Sequence, residues 1–110
     1  MFNIITPTYN RKHLISRVYD SLKEQSYQNF KWIIIDDAST DNTVDLITQW
    51  QKKSKFEIEY YLLDKNKGKP NAVNYGLTKC NEKYIIIADS DDTFSPNTLE
   101  DLLKSWQAID

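Results

Sequence analysis

The stretch that decides the fold is WIIIDDAS, residues 32–39, an apolar run that ends abruptly in two acids. The same pattern occurs twice more, in FNIIT at residues 2–6 before a polar corner and in YIIIA at residues 84–88 before three further acids. Continuous isoleucine-rich runs of this length are typical of strands that helices cover on both faces of a parallel sheet. We therefore predict three central strands that each end at a polar corner.

A fourth apolar run and four amphipathic stretches complete the pattern. Residues 56–63 begin by alternating apolar residues with glutamates, which indicates a half-exposed edge strand. A stretch with 3.6-residue periodicity follows each strand, and the last has Ser95 as its predicted N-cap with Pro96 behind it. The third stretch continues to Cys80 and contains Gly76, which costs a helix about 1 kcal/mol relative to alanine and so indicates a close approach to the sheet.

This alternation predicts an α/β fold that is Rossmann-like, with a mostly parallel sheet of about four strands flanked by helices. The chain has 110 residues and a formal net charge of −2, so it forms one small domain and carries no basic field for nucleic acid. Its single cysteine excludes an intrachain disulfide and fits a cytoplasmic setting. No apolar run approaches the roughly 20 residues that a transmembrane helix needs, so we expect no such segment in this chain.

The strand ends are the predicted site, because ligands of parallel α/β sheets bind beyond the carboxyl ends of the strands. The four corners hold residues 7–11, 36–39, 64–69 and 89–92, and all four are polar or charged. Right-handed crossovers keep the corners at one edge of the sheet. We therefore expect these distant segments to converge.

The corner after the last strand has the densest charge. In an extended segment Asp89 and Asp91 point the same way while Ser90 is turned aside, and Asp92 adds a third acid. Like charges this close repel by about 1 kcal/mol or more per pair, which a divalent cation such as Mg²⁺ or Mn²⁺ would relieve. An acidic, solvated turn that caps the next helix is the alternative, and both interpretations stay open at this stage.

The other corners allow functional and structural interpretations too. Asp36 and Asp37 suit hydrogen bonds to a nucleobase or ribose, but acids before a helix are also ordinary N-caps. Tyr9 could stack under a base or be a half-buried core tyrosine. The KNKGK segment at residues 65–69 is either a flexible turn or a source of cations for a diphosphate, with Pro70 opening a helix whose N-terminus favours anions.

Four motifs occur in order along the chain: IITPTYNR at residues 4–11, IIIDDASTD at residues 33–41, GKPNAVNYG at residues 68–76 and DSDD at residues 89–92. Together they resemble glycosyltransferase family 2 over essentially the whole chain. The resemblance implies a GT-A fold and an inverting transferase. Such an enzyme moves a sugar from a nucleoside diphosphate sugar, with a UDP-sugar favoured, to a glycan or lipid-linked acceptor in polysaccharide biosynthesis.

The resemblance also implies residue roles. Asp91, together with Asp89, would hold a divalent cation, Mn²⁺ or Mg²⁺, that bridges the diphosphate, and Asp92 would assist through water. Lys69 would contact the base or the diphosphate. The implied nucleotide-sugar-binding set is Pro7, Thr8, Tyr9, Asp36, Asp37, Lys69, Asp89 and Ser90.

The chain departs from the family in its length. Full catalytic domains of this family are longer, and the further part normally carries the acceptor site and the carboxylate general base. We expect residues 1–110 to be one nucleotide-sugar-binding subdomain, truncated before the acceptor-binding half, with the base beyond Asp110 and little or no activity alone. The full-length protein would be cytoplasmic or peripheral at the inner face of the membrane.

Parts of this pattern are shared with two other functions. A phosphatase of the haloacid dehalogenase type would use the Asp-x-Asp-x-Thr pattern at residues 89–93, but it needs a lysine and further acids downstream, where little chain follows. A receiver-like signalling module would use Asp36 and Asp37 beside a phosphorylatable Asp89. Its acidic pair is expected after the first strand, whereas here it follows the second.

Overall fold

The computed structural model describes the backbone of residues 2–109 and the side chains of residues 2–107. Strands and helices alternate: β1 (Phe2–Thr8), α1 (Lys12–Lys23), β2 (Phe30–Asp36), α2 (Thr43–Lys53), β3 (Glu57–Leu62), α3 (Lys69–Leu77), β4 (Tyr84–Ile87) and α4 (Thr98–Ile109). The strands form one sheet in the order β3-β2-β1-β4, and all three pairings are parallel. The predicted α/β class is therefore confirmed, and so is the edge position of β3.

The core has two layers because successive residues of a strand point to opposite faces of the sheet. On one face, Ile4 of β1 and Trp32 of β2 pack with buried residues of α1, α2 and α4. On the other face, Ile5 and Ile33 pack against Ala72 of α3. Three helices thus cover one face and a single helix covers the other, within the part of the chain that the structure describes.

Gly76 explains how α3 reaches the sheet. A Cβ atom at this position would lie 2.7 Å from Cγ2 of Ile5 and 3.2 Å from Cγ1 of Ile35, closer than side chains normally approach. The predicted close contact is confirmed. The helix ends at Leu77, short of the predicted Cys80, whose partly buried sulfur lies 3.5 Å from the carbonyl oxygen of Gly76.

The prediction that β4 is a central strand is wrong for the described residues. β4 pairs with β1 alone, and its outward residues Ile85 and Ile87 are 38% and 49% exposed. A run of isoleucines indicates that a strand is apolar, but it does not indicate how many strands pair with it. The side chains of Tyr84 and Ile86, on the other face of β4, pack against the core.

The start of α4 also differs from its prediction. The helix begins at Thr98, three residues after the predicted N-cap Ser95, because Ser95 belongs to a preceding turn in which its carbonyl accepts the Thr98 N–H at 3.0 Å. The buried side chain of Gln25 caps the helix instead. Its amide oxygen accepts the Leu99 N–H at 3.1 Å, and its amide nitrogen donates to the Ser95 carbonyl at 2.7 Å.

Candidate functional site

A cavity of about 340 Å³ lies at the carboxyl ends of the strands. This volume is within the range of about 300–1,000 Å³ that is common for small-molecule sites. All four predicted corners contribute to its walls. The lining residues are Pro7, Thr8, Tyr9, Arg11, Asp37, Lys69, Ala72, Asp89, Ser90 and Asp91. Every predicted site residue except Asp36 and Asp92 therefore lines one cavity.

The corner after β1 contributes an aromatic face and a hydroxyl. Tyr9 lines the cavity and is 44% exposed, so part of its ring is open to a bound molecule. Thr8 is buried, and its Oγ1 atom has no hydrogen-bond partner among the described residues. A buried hydroxyl without a partner is unfavourable, so this group lowers the stability of the strand end beside the cavity.

The two acids after β2 have different surroundings. Asp36 lies on the same face of the sheet as Ile34 and Tyr60, so its side chain enters the core and does not line the cavity. Its carboxylate accepts the Ser39 N–H at 2.8 Å and the hydroxyl of Tyr60. Burial, followed by this hydrogen bond to a charged group, raises the pKa of Tyr60. The geometry gives Asp36 a role in holding the loop.

Asp37 joins the second corner to the third. It is buried at the wall of the cavity, and its two carboxylate oxygens accept the Lys67 N–H at 3.0 Å and the Gly68 N–H at 2.7 Å. Gly68 has a φ of +95°, a conformation that other residues rarely adopt. Asp37 therefore fixes the loop that places Lys69 at the start of α3.

Lys69 forms an ion pair with Asp89 across the cavity, with 2.5 Å between Nζ and Oδ1. The hydrogen bond to Asp89 is the main cause that raises the pKa of Lys69, and the charges of Asp89, Asp92 and Asp91 add to it. Both partners are largely exposed, so solvent screens the pair and it contributes little to folding stability. Its effect is to keep a cation beside the acidic corner.

The acidic corner is a compact turn. The Asp89 N–H donates to Oδ2 of Asp92 at 2.8 Å, and the Asp92 N–H donates to the carbonyl of Asp89 at 3.0 Å. Each of Asp89, Asp91 and Asp92 offers one carboxylate oxygen, and the three oxygens lie within 4.8 Å of one another. Pairing with Lys69 neutralises one of the three carboxylates and leaves two negative charges. Mg²⁺ and Mn²⁺ prefer oxygen ligands of this kind, so the donor set fits such an ion.

The site residues predicted from the sequence did not include Arg11. It lies at the wall of the cavity, directly before α1, and adds a second cation to the site beside Lys69. Its place two residues after Tyr9, in a corner already predicted to be functional, was the signal that could have identified it. Ala72 was also missed, and its small side chain at the first turns of α3 leaves room in the cavity.

The comparisons with known proteins give the class. The family model described as glycosyl transferase family 2 matches residues 3–110, so the chain belongs to this family. TuaG of Bacillus subtilis (strain 168), a glycosyltransferase whose name assigns it provisionally to teichuronic acid biosynthesis, is 34% identical over 104 residues. That match covers 94% of this chain and 41% of TuaG.

Solved structures agree with the family and the fold. Residues 1–349 of S. aureus TarS, solved in complex with UDP-GlcNAc, match with a TM-score of 0.90 and 28% identity over 97% of this chain. The mannosyltransferase PcManGT from Pyrobaculum calidifontis, solved with GDP-Man and Mn²⁺, matches with a TM-score of 0.87 and 27% identity over 94% of this chain. The chain spans 31% of each of these two structures.

Among the described residues, none of the helices has both the length and the apolar character needed to cross a bilayer. The family match favours glycosyl transfer over the phosphatase and the receiver-like module, whose sequence patterns were already incomplete.

Proposed function

We propose that this chain binds the donor of an inverting glycosyltransferase, which transfers a sugar from a nucleoside diphosphate sugar to an acceptor hydroxyl with the help of a divalent cation. The observation that carries the proposal is the convergence of four corners on one cavity that combines an aromatic face, two cations and an acidic turn. The UDP-GlcNAc bound to TarS supports a UDP-sugar as the donor, and the Mn²⁺ bound to PcManGT supports the cation.

The nucleoside would occupy the side of the cavity formed by the first two corners. The exposed ring of Tyr9 offers a face for a base, and such stacking is worth about 1–3 kcal/mol. Each carboxylate oxygen of Asp37 accepts one loop N–H and keeps a second lone pair for a base or a ribose hydroxyl. Pro7 and Thr8 complete this part of the wall.

The diphosphate would lie between the cations and the acidic turn. Arg11 and Lys69 would attract it, while Asp91 and Asp89 would hold the divalent ion and Ser90 would line the wall between them. When bound, the ion would neutralise charge on the departing nucleoside diphosphate. Lys69 contributes to the same stabilisation, since an ammonium group close to developing negative charge lowers the barrier. An acceptor oxygen that attacks the anomeric carbon from the opposite face would invert its configuration.

The complete enzyme would need more than this site. The chain spans 41% or less of the three proteins compared, which supports the proposal that residues 1–110 are one nucleotide-sugar-binding unit. We assign the acceptor site and the general base to a further part of the protein. The acceptor would be a glycan or a lipid-linked glycan in polysaccharide biosynthesis, with the reaction in the cytoplasm or at the inner face of the membrane.

Calorimetric titration of the chain with UDP, GDP and their sugars, with and without Mn²⁺, tests the proposal. We expect Mn²⁺ to strengthen UDP binding about tenfold or more, a change of about 1.4 kcal/mol. Asp91→Ala should abolish the Mn²⁺ effect, whereas Asp20→Ala, a matched control on the exposed side of α1, should preserve it. Equal UDP affinity with and without Mn²⁺, or an unchanged Mn²⁺ effect in Asp91→Ala, would contradict the proposed role of Asp91.

A further inference from the structure

The segment that carries Tyr9 alternates between two kinds of residue. Tyr9 and Arg11 line the cavity, whereas Asn10 and Lys12 are bonded to the loop between β2 and α2. The Asn10 N–H donates to Oγ of Ser39 at 2.8 Å. Residues 9–12 therefore alternate between lining the cavity and bonding to the neighbouring loop, and Asn10 is the bonded residue next to Tyr9.

Asn10 is held by its side chain as well as by its backbone. Its Oδ1 atom accepts the Thr40 N–H at 2.8 Å. Asn10 has a φ of +51°, in the left-handed region that asparagine tolerates better than most residues. The two hydrogen bonds to Ser39 and Thr40 keep the backbone in this turn, immediately beside Tyr9.

Asp41 makes the second connection between the loops. Its Oδ2 atom accepts the Lys12 N–H, the first of α1, at 3.0 Å, and its Oδ1 atom accepts the hydroxyl of Thr43 at the start of α2. Burial opposes ionisation of Asp41, but the hydrogen bonds from Thr43 and Lys12 outweigh it and lower its pKa. The carboxylate is therefore charged at neutral pH and lies at the positive end of α1.

We propose that Asn10 and Asp41 are positioning residues that hold Tyr9 in place to stack on the base of the bound nucleotide. This inference rests on the proposed function, since it requires that a nucleotide enters the cavity. We call the contacts of Asn10 and Asp41 with residues 12 and 39–43 the loop clamp. Neither residue is among those that line the cavity, so their influence on binding has to pass through Tyr9 or Arg11, and only Tyr9 would contact the base. Holding the ring in advance saves the ordering that binding would otherwise require.

A double-mutant cycle separates positioning from general stability. UDP and inorganic pyrophosphate are titrated, each with Mn²⁺, into the wild type, Tyr9→Ala, Asn10→Gly and the double variant. We expect Asn10→Gly to weaken UDP binding about tenfold and pyrophosphate binding less than about twofold, because pyrophosphate has no base to stack. On the Tyr9→Ala background, Asn10→Gly should have no further effect on UDP binding.

Glycine is chosen because it keeps the left-handed backbone and removes only the side-chain contacts. Asn42→Gly is the matched control. Asn42 has a φ of +63° in the same loop, makes no side-chain capping hydrogen bond and does not line the cavity, so its variant should bind UDP as the wild type does. Asn10→Asp keeps an oxygen acceptor for the Thr40 N–H and should restore most of the UDP affinity.

Three results would overturn the loop clamp: additive losses in the cycle, equal weakening of UDP and pyrophosphate binding, or UDP affinity that Asn10→Gly leaves unchanged. A wild type that does not bind UDP refutes the proposed function instead. The loop clamp is then judged without ligand, by amide hydrogen exchange at Tyr9, Asn10 and Lys12. Faster exchange in Asn10→Gly and Asp41→Ala supports it, and unchanged exchange refutes it. Should Asn10→Gly unfold, Ser39→Ala replaces it in the cycle.

Discussion

Replacement of Gly76 by alanine tests the packing that brings α3 to the cavity. The added Cβ would lie 2.7 Å from Cγ2 of Ile5 and 3.2 Å from Cγ1 of Ile35. Carbon atoms in a well-packed core prefer separations of about 3.5–4.0 Å, so the closer contact is short by about 1 Å. Both isoleucines are fully buried in adjacent strands, so the Cγ2 methyl of Ile5 and the Cγ1 methylene of Ile35 have no open space into which to withdraw.

Two effects of opposite sign determine how much Gly76→Ala changes the free energy of unfolding. Alanine is a better helix former than glycine by about 1 kcal/mol, whereas overpacking a core costs about 1–3 kcal/mol. The contact of Gly76 with Ile5 is short enough to place the cost near the upper end of that range. We therefore expect Gly76→Ala to lower the free energy of unfolding by about 1–2 kcal/mol, and the unfolding temperature by about 4–8 °C in a domain of this size.

Circular dichroism during thermal and urea unfolding measures both quantities. Asn74→Ala is the matched control, since this residue is exposed on the same helix and gains helix propensity without a clash, so its variant should be equally or more stable. A Gly76→Ala variant as stable as the wild type would show that α3 can move away from the sheet. In that case the affinity for UDP should fall, because α3 also carries Lys69.

Three further substitutions test individual groups. Thr8→Val removes the unpaired hydroxyl, so the free energy of unfolding in urea should stay the same or rise by up to about 1 kcal/mol. A clear loss of stability would reveal a protein partner for the hydroxyl. Tyr60→Phe removes a donor to the buried carboxylate of Asp36 and should cost about 1.5–3 kcal/mol in urea unfolding, with a loss below about 0.5 kcal/mol contradicting the bond. The pKa of Asp41 is lower in the folded chain than its unfolded value of about 4, so ionised Asp41 stabilises the fold when the pH is above about 4. This stabilisation should be lost as the pH falls through the folded pKa. Asp41→Asn should therefore flatten the acidic part of a plot of unfolding free energy against pH.

Most of the fold followed from local patterns. Isoleucine-rich runs located β1, β2 and β4, and alternating glutamates identified β3 as an edge strand. The errors concern features that depend on distant residues. Pairing of β4 with one neighbour is decided by the whole sheet, and the start of α4 is decided by Gln25, which lies far away in the sequence and caps Leu99.

The candidate site was predictable in outline because the ends of parallel strands meet at one edge. The roles of neighbouring residues were harder to separate. Asp36 and Asp37 are identical in type and adjacent, but strand alternation sends Asp36 into the core beside Tyr60 and leaves Asp37 at the cavity. The bonds of Asn10 and Asp41 join two loops and have no local sequence signature.

The position of β4 has an energetic consequence for the acidic turn that follows it. Within residues 2–109 this strand is joined to the sheet along one side only, by four residue pairs, so the densest negative charge follows the shortest strand pairing of the sheet. Any ion that draws the carboxylates together would also have to immobilise the end of the strand. Part of the favourable free energy of the ion–carboxylate contacts would offset the cost of that ordering. A measured dissociation constant would therefore indicate weaker contacts than the ion makes.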